Sequence, residues 1–146
     1  MGNQLLLLDA NSLLYLIRSS EEARAVKARI LEDSKILDLT LYELGNSVWK
    51  ESELTKLLSL DDAGKLGQDL SLVLSNLEKM SIAGVELPAV LEIAKAERKT
   101  FYDSSYIYVA KREKMTLVTE DQSLSKTARK HVRTVSIREV IAERKA

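Results

Sequence analysis

The sequence predicts an α/β fold, a three-layer α/β/α sandwich in which helices cover both faces of a small, mainly parallel β-sheet. Short apolar runs recur along the chain, and stretches with a helical hydrophobic period lie between them. Strands that alternate with helices form βαβ units, and the strands of such units are parallel. No repeat, low-complexity tract or linker divides the 146 residues, so we expect one domain over residues 1–146.

Four segments have the composition of strands. Residues 5–8 are four leucines that the polar Asp9 ends, a pattern typical of a parallel strand buried on both faces. Residues 35–39 form a second, less apolar candidate. Residues 116–119 and 133–136 complete the predicted sheet.

Six segments have the hydrophobic period of helices. They are residues 12–18, 21–33, 41–51, 61–80, 88–98 and 104–114. Because these segments mostly lie between the predicted strands, they serve as crossover connections, which place helices on both faces of a parallel sheet.

Composition excludes several classes of function. The chain has 22 basic and 22 acidic residues, so it has no net positive charge to attract nucleic acid from a distance, and any such binding must use local patches. It lacks cysteine and has one histidine, His131, which excludes thiol nucleophiles and disfavours zinc sites. With no long apolar run and no basic leader, we expect a cytoplasmic protein that has no membrane partner.

Acidic side chains lie where the predicted strands end. Asp9 directly follows the first strand, Glu43 comes one short turn after the second, and Asp121 follows the third. Asp103 lies at the start of the helix that precedes the third strand. Because α/β folds bind their ligands at the carboxyl ends of parallel strands, we expect these four carboxylates to converge.

Each of these acids also has a purely structural explanation. Asp103 and Asp121 can be helix N-caps, and Asp9 can be a turn residue. Thr40 and Glu43 have the spacing of a capping box. The position of all four acids at strand ends of one sheet favours a shared site. The two roles are compatible, since a helix N-terminus keeps a carboxylate ionised.

Clustered carboxylates need a counter-charge. Two of them about 4 Å apart repel by about 4 kcal/mol at an effective dielectric constant near 20. Oxygen ligands without cysteine or histidine select Mg²⁺ or Mn²⁺ over zinc or copper. Such ions activate water and neutralise a leaving oxygen, so the pattern indicates phosphodiester hydrolysis.

Two segments near the N-terminus combine these acids with small polar residues. In the first, the leucine strand leads to Asp9, and Asn11 stands two positions further on. In the second, Thr40, Glu43 and Asn46 follow one another at intervals of three. These segments resemble the first and second motifs of the PIN-domain family of nucleases.

A third segment strengthens the resemblance. Tyr102 and Asp103 open a predicted helix, a strand follows, and Thr119 and Asp121 end it in a Thr-x-Asp pattern. The order and spacing of all three segments, rather than any one of them, resemble the PIN-domain family, and the length of the chain favours its VapC-type toxins.

The resemblance implies an endoribonuclease that depends on Mg²⁺ or Mn²⁺, the toxin of a VapBC toxin–antitoxin pair. Its partners would be an RNA substrate and a cognate antitoxin protein. The implied metal ligands are Asp9, Glu43, Asp103 and Asp121. Asn11 and Thr119, and less strongly Ser12, would orient the ligands or the attacking water, although local turn hydrogen bonds explain them equally well.

Two other functions fit an acidic edge. A phosphotransfer protein also places acids at strand ends around Mg²⁺. A phosphatase of the haloacid-dehalogenase type begins with an Asp-x-Asp pattern, however, and in this chain Asn11 occupies the position of the second aspartate. A non-catalytic module with the same fold could use the cleft to bind a partner. The presence of all four acids favours the nuclease.

Basic and aromatic side chains give no clear substrate contacts. Two basic stretches, residues 111–114 and 126–133, can meet phosphates, but such stretches are usually solvated surface. The tyrosines, Tyr106 among them, fit the core or its rim better than a base-stacking platform.

Apolar residues on the longest predicted helix indicate an interface. A stripe at helical spacing consists of Leu66, Leu70, Val73, Leu77 and Met80. One stripe can be core, but the leucines of residues 54–58 add further apolar surface. We therefore expect a homodimer, and beside Trp49 a groove between these two segments that receives an amphipathic antitoxin helix.

Overall fold

The computed structural model describes residues 4–145 and has a central sheet of five parallel strands in the order β3-β2-β1-β4-β5. The strands are β1 (Leu6–Leu8), β2 (Ser34–Leu37), β3 (Glu78–Met80), β4 (Thr116–Val118) and β5 (Thr134–Val135). The parallel pairing confirms the predicted sheet, and β1 lies at its centre.

Within the described residues, eight α-helices surround this sheet. They are α1 (Ala10–Arg18), α2 (Arg24–Glu32), α3 (Asp38–Trp49), α4 (Leu60–Leu74), α5 (Leu87–Glu97), α6 (Phe101–Arg112), α7 (Gln122–Ala128) and α8 (Ile137–Lys145). A π-helical turn, Lys50–Leu54, continues α3, and a 3-10 turn, Gly84–Glu86, precedes α5. No helix within residues 4–145 is long and apolar enough to cross a membrane.

The central strand supplies both apolar layers. Leu6 and Leu8 face a cluster built with α1, α2, α3, α4 and α8, while Leu7 faces a second cluster built mainly with α6 and α7. Successive side chains of a strand point to opposite faces, which is why a continuous leucine run fits a strand covered on both sides. The two clusters confirm the predicted three-layer α/β/α sandwich.

The predicted helix over residues 61–80 is wrong in its last part. Helix α4 ends at Leu74, and Glu78–Met80 is the edge strand β3, paired in parallel with β2. Leu77 and Met80 keep a helical spacing, yet they pack into opposite clusters. The strand has exposed polar residues at two of its three positions, so no apolar run revealed it.

Helices α7 and α8 were not predicted. Helix α7 has only 7 residues, too few for a clear period. Helix α8 buries Ile137, Val140 and Ile141, whose spacing of three and four residues is helical. The sequence therefore contains a periodic signal for α8, although the prediction omitted this helix.

Predicted boundaries also shifted where helices begin. Helix α3 starts at Asp38, so the second strand ends at Leu37 rather than at residue 39. Helix α6 starts at Phe101, because the side chain of Thr100 caps it. Both shifts change the helical position of a candidate acid.

A candidate active site at the carboxyl edge of the sheet

Asp9 lies at the junction of β1 and α1. Its Oδ1 accepts a hydrogen bond of 2.9 Å from the backbone N–H of Ser12, which makes it the N-cap of α1. The Ser12 hydroxyl in turn donates to the carbonyl of Val118 at 3.1 Å, which ties this turn to β4. Burial raises the pKa of the Asp9 carboxyl, and the hydroxyls of Thr119 and Ser12 offset only part of that effect.

Glu43 lies inside α3 and faces the same edge. The Tyr106 hydroxyl of α6 donates a 2.5 Å hydrogen bond to its Oε1. That phenol oxygen lies 2.6 Å from Oγ1 of Thr40, which itself accepts from the N–H of Leu37 at 3.2 Å. A continuous hydrogen-bonded chain thus runs from the end of β2 to the Glu43 carboxylate.

The expected capping box between Thr40 and Glu43 is wrong. The Thr40 side chain does bond to a backbone N–H at the helix start, but the carboxylate of Glu43 binds Tyr106 instead of the backbone. Burial raises the pKa of Glu43, the negative charges of Asp9 and Asp103 raise it further, and the Tyr106 hydrogen bond works against both.

Asp103 is not the N-cap of α6, so the structural explanation that it caps this helix is wrong. Thr100 is the cap, and its Oγ1 accepts a hydrogen bond from the Asp103 N–H at 3.1 Å. Asp103 therefore lies in the first turn of the helix, and its carboxylate takes no part in capping. Burial raises the pKa of Asp103, and the charges of Asp121 and Asp9 add to this, while Lys99 opposes it.

Asp121 and Thr119 follow β4. Asp121 is the N-cap of α7, as the structural explanation expected, with its Oδ1 accepting from the Leu124 N–H at 3.0 Å. The buried Thr119 hydroxyl accepts from the Asp121 N–H at 3.1 Å. Asn11 lies exposed in the first turn of α1, and none of the hydrogen bonds found within residues 4–145 involves its side chain.

The four acids share one edge, and their charges interact. Glu43 is affected by Asp9 and Asp103, and Asp103 by Asp9 and Asp121. Within the described residues, however, no three acidic or histidine side chains stand close enough to hold one ion jointly. A cation would have to draw the carboxylates together, and the all-oxygen donor set with unbalanced negative charge fits a hard divalent ion.

Sequence reasoning missed two residues at this edge. Tyr106 was assigned to the core or its rim, yet its hydroxyl reaches Glu43; its position three residues after Asp103 on one helix could have indicated a shared face. Glu120 was left out, but its charge raises the pKa of Asp9, while its Oε1 accepts from the N–H of Ile137 at 2.8 Å. No pattern in the sequence indicated that contact.

Comparison with known proteins identifies relatives of this chain. Residues 6–130 match the sequence profile of the PIN domain. The chain is 36% identical over 118 residues to Exonuclease VapC9 of Pyrobaculum aerophilum, which covers 81% of each protein.

Solved structures agree with this result. The crystal structure of PAE2754 from Pyrobaculum aerophilum superposes with a TM-score of 0.78 at 30% identity, covering 97% of this chain and 90% of that one. FitAcB from Neisseria gonorrhoeae shares the fold, with a TM-score of 0.63 at 20% identity over 91% of this chain and 98% of the other.

The fold, the acidic edge and these relatives define a nuclease, an enzyme that hydrolyses phosphodiester bonds. More narrowly, the chain belongs to the PIN-domain family, as its three motifs predicted. Family membership argues against the phosphotransfer alternative, and similarity to an exonuclease favours an enzyme over a module without catalysis.

Proposed function

We propose that this protein is an endoribonuclease that depends on Mg²⁺ or Mn²⁺ and acts in the cytoplasm as the toxin of a toxin–antitoxin pair. The observation that carries the proposal is the position of Asp9, Glu43 and Asp103, three carboxylates with raised pKa values at one edge of the sheet. The VapC name of the P. aerophilum relative supports the toxin assignment.

In this proposal the metal ligands are Asp9, Glu43, Asp103 and Asp121. The bound ion supplies an activated water and neutralises charge on the leaving oxygen of the phosphodiester. Three of the ligands have fixed orientations: Ser12 N–H binds Asp9, Tyr106 binds Glu43, and Leu124 N–H binds Asp121.

Thr119 and Asn11 complete the proposed catalytic set. Thr119 is buried, its hydroxyl accepts a hydrogen bond from the Asp121 backbone N–H, and its hydrogen bond to Asp9 lowers the pKa of that carboxyl, so it links the chain segments that carry the two acids. Asn11 is exposed two residues after Asp9, where its amide can reach a phosphate oxygen or the attacking water.

RNA cleavage tests the proposed reaction. We expect cleavage of single-stranded RNA with Mg²⁺ or Mn²⁺, products with a 5′-phosphate, and no cleavage in EDTA. The P. aerophilum relative is named an exonuclease, so the substrate should be offered both as a linear strand and as a covalently closed circle. An endonuclease cuts the circle. Cleavage of the linear strand alone would contradict the endonuclease, and undiminished cleavage in EDTA would contradict the metal.

The proposed antitoxin site is a groove of about 550 Å³ between α3 and α4. It is lined mostly by apolar residues, which include Leu41, Val48, Leu70 and Leu74. Only part of the apolar stripe on α4 is exposed at the surface. Leu70 is buried in the first core cluster, and Leu66 and Val73 pack against that cluster. The second wall is α3, so the expectation that residues 54–58 form it is wrong.

Two glycines of α4 allow a matched test of this groove. Gly67 lines it and Gly64 does not, and a Cβ added at either position meets open space. We expect Gly67→Glu to weaken inhibition by an amphipathic antitoxin helix and Gly64→Glu to leave it unchanged, with RNA cleavage intact in both. Trp49, half exposed on α3, should change its fluorescence when the helix binds. Equal inhibition of both variants would place the antitoxin elsewhere.

We also propose a homodimer. Large apolar side chains remain exposed near the start of α5: Val85, Leu87 and Leu91. A second copy of the chain would cover such a patch. Sedimentation equilibrium should give twice the chain mass, and Leu91→Asp should shift the protein toward monomer. A monomer at micromolar concentration would contradict the proposal.

A further inference from the structure

A second cleft adjoins the acidic edge. It encloses about 520 Å³, and one side of it is the turn that carries Thr119, Glu120 and Asp121. Lys126 of α7 and Arg129, the C-cap of that helix, continue this wall, while the start of α8 forms the opposite wall. The cleft therefore leads away from the proposed metal ligands along two helices.

The basic residues of the 126–133 stretch fall into two groups. Lys130 lies 3.0 Å from a carboxylate oxygen of Glu97, and Arg133 lies 2.8 Å from one of Glu143, so both cations are already paired. Lys126 and Arg129 are exposed, and among residues 4–145 neither has a carboxylate within ion-pair distance. Only the unpaired cations line the cleft.

Two acids of this cleft, Glu120 and Glu139, have hydrogen-bond partners on the α8 wall rather than these cations. Glu120 accepts a hydrogen bond from the N–H of Ile137 in the first turn of α8. Glu139 is bonded to Ser136 in both directions, since its N–H donates to the serine hydroxyl and its carboxylate accepts from it. Both charges thus lie at the N-terminal turn of a helix, which stabilises them there. Lys126 and Arg129 remain available for an anion from outside.

The spacing of Lys126 and Arg129 suits an extended single strand of nucleic acid. With a rise of about 1.5 Å per residue, Lys126 and Arg129 lie about 8 Å and about 12 Å beyond Asp121 along the axis of α7. The two are three residues apart, so they lie on one side of the helix. A strand cut at the acidic edge would pass them with its next nucleotides.

We infer that Lys126 and Arg129 form a binding site for the backbone phosphates of single-stranded RNA beside the cut bond. On the opposite wall Arg138 adds a third positive charge, held over the ring of Tyr15 at 5.3 Å. Phosphate contacts hold a strand in position without reading its sequence, so this site contributes affinity and alignment rather than specificity. The inference rests on the proposed function, since it gives the proposed active site its substrate contacts.

Binding without cleavage tests this site separately. Fluorescence anisotropy of a labelled single-stranded RNA in EDTA measures affinity in the absence of metal, over a range of salt concentrations. Lys126→Gln/Arg129→Gln removes the two cleft cations, and Lys130→Gln/Arg133→Gln removes the same charge from the paired cations of the same stretch. Thermal unfolding of both variants confirms that each is folded.

We expect the cleft variant to bind RNA about tenfold more weakly at low salt. Its plot of log affinity against log salt should become shallower by about 1.4, about 0.7 for each lost phosphate contact on a single strand. The control variant should keep the wild-type affinity and slope. The cleft variant should also raise KM more than it lowers kcat.

Three results would overturn the inference: equal losses in the two variants, no loss in either, or no RNA binding by the wild type. Wild-type protein that binds RNA with the expected difference between the variants, yet never cleaves it with metal, would instead refute the proposed nuclease and leave the phosphate site standing.

Discussion

The carboxyl edge of the sheet and the apolar layers beside it follow opposite physical rules. In the layers, Leu7, Leu8 and Ile30 are fully buried among other aliphatic side chains. Each such side chain contributes about 1.5–3 kcal/mol to folding. At the edge, Asp9 is almost as deeply buried, at 8% exposure, and its carboxyl has a raised pKa.

The difference separates stability from activity. Burial of a carboxylate without a counter-charge destabilises the fold, so the acidic edge is held in place by the layers rather than contributing to them. Helix α6 serves the acidic edge and the apolar layer with adjacent residues. The Tyr106 hydroxyl donates a hydrogen bond to Glu43, and Ile107 packs in the apolar layer. Substitutions should therefore affect either folding or catalysis, according to the region.

The largest effect should come from neutralising the acids. We expect Asp9→Asn, Glu43→Gln and Asp103→Asn each to reduce RNA cleavage by a factor of about 100 or more. Their free energies of unfolding without metal should be unchanged or higher, because charge repulsion and the cost of burial are relieved. RNA cleavage assays check the predicted loss of activity, and urea unfolding checks the predicted free energies of unfolding. Full activity of Asp103→Asn would remove that residue from the site.

The opposite result is expected in the apolar layer. Ile30 is fully buried in the first cluster, so Ile30→Ala should lower the free energy of unfolding by about 2–5 kcal/mol. Activity per folded molecule should stay close to that of the wild type at a temperature where the variant is folded. If the variant lost activity while remaining folded, the separation between the two regions would fail.

A smaller effect is expected from the hydrogen-bonded chain that orients Glu43. Tyr106→Phe removes only the hydroxyl, at a cost of about 1–2 kcal/mol, so kcat/KM should fall by about tenfold and Mn²⁺ should bind more weakly. Thr40→Val should act in the same direction, and Thr40→Ser should restore the wild-type values. Weaker Mn²⁺ binding in Thr40→Ser that matched Thr40→Val would show that packing, and not the hydroxyl, matters.

The smallest effect is the pH dependence of stability. The pKa values of Asp9, Glu43 and Asp103 are raised in the folded state, so over the range between the unfolded and folded values the folded protein binds more protons. Their contribution to stability therefore falls as pH rises through that range. In EDTA, the advantage of Asp9→Asn over wild type should grow as pH rises above 3.8, the ordinary pKa of the carboxyl, and level off above its folded value. A constant advantage would argue against a raised pKa of Asp9.

The main features of the fold could be predicted from local signals. The three leucines of β1 and the helical periods between strands are physical consequences of burial on both faces of a sheet. The edge strand β3 could not be predicted, because it pairs on only one side and exposes Glu78 and Lys79. Its identity depends on pairing with β2, a contact between residues distant in the chain.

The position of the four acids at one edge could be predicted from the sequence, because the carboxyl ends of parallel strands lie at the same edge of a sheet. The hydrogen bonds that hold them could not be found in the same way. Glu43 had a local partner in Thr40 by spacing, but its partner in the structure is Tyr106, 63 residues away. Among the basic residues, the ion pairs of Lys130 and Arg133 depend on tertiary contacts that no charge pattern shows.

Calorimetric titration of Mn²⁺ into the protein without RNA tests the central claim most directly. If the carboxyl edge is a metal site, wild-type protein should bind Mn²⁺ at neutral pH, and both Asp9→Asn and Asp103→Asn should weaken binding by about tenfold or more, since each removes a charged ligand. Asp33, whose carboxylate is paired with Arg144 at 2.6 Å, provides the control, and Asp33→Asn should bind as the wild type does. Equal Mn²⁺ affinity in all four proteins would contradict the claim that these acids hold the metal.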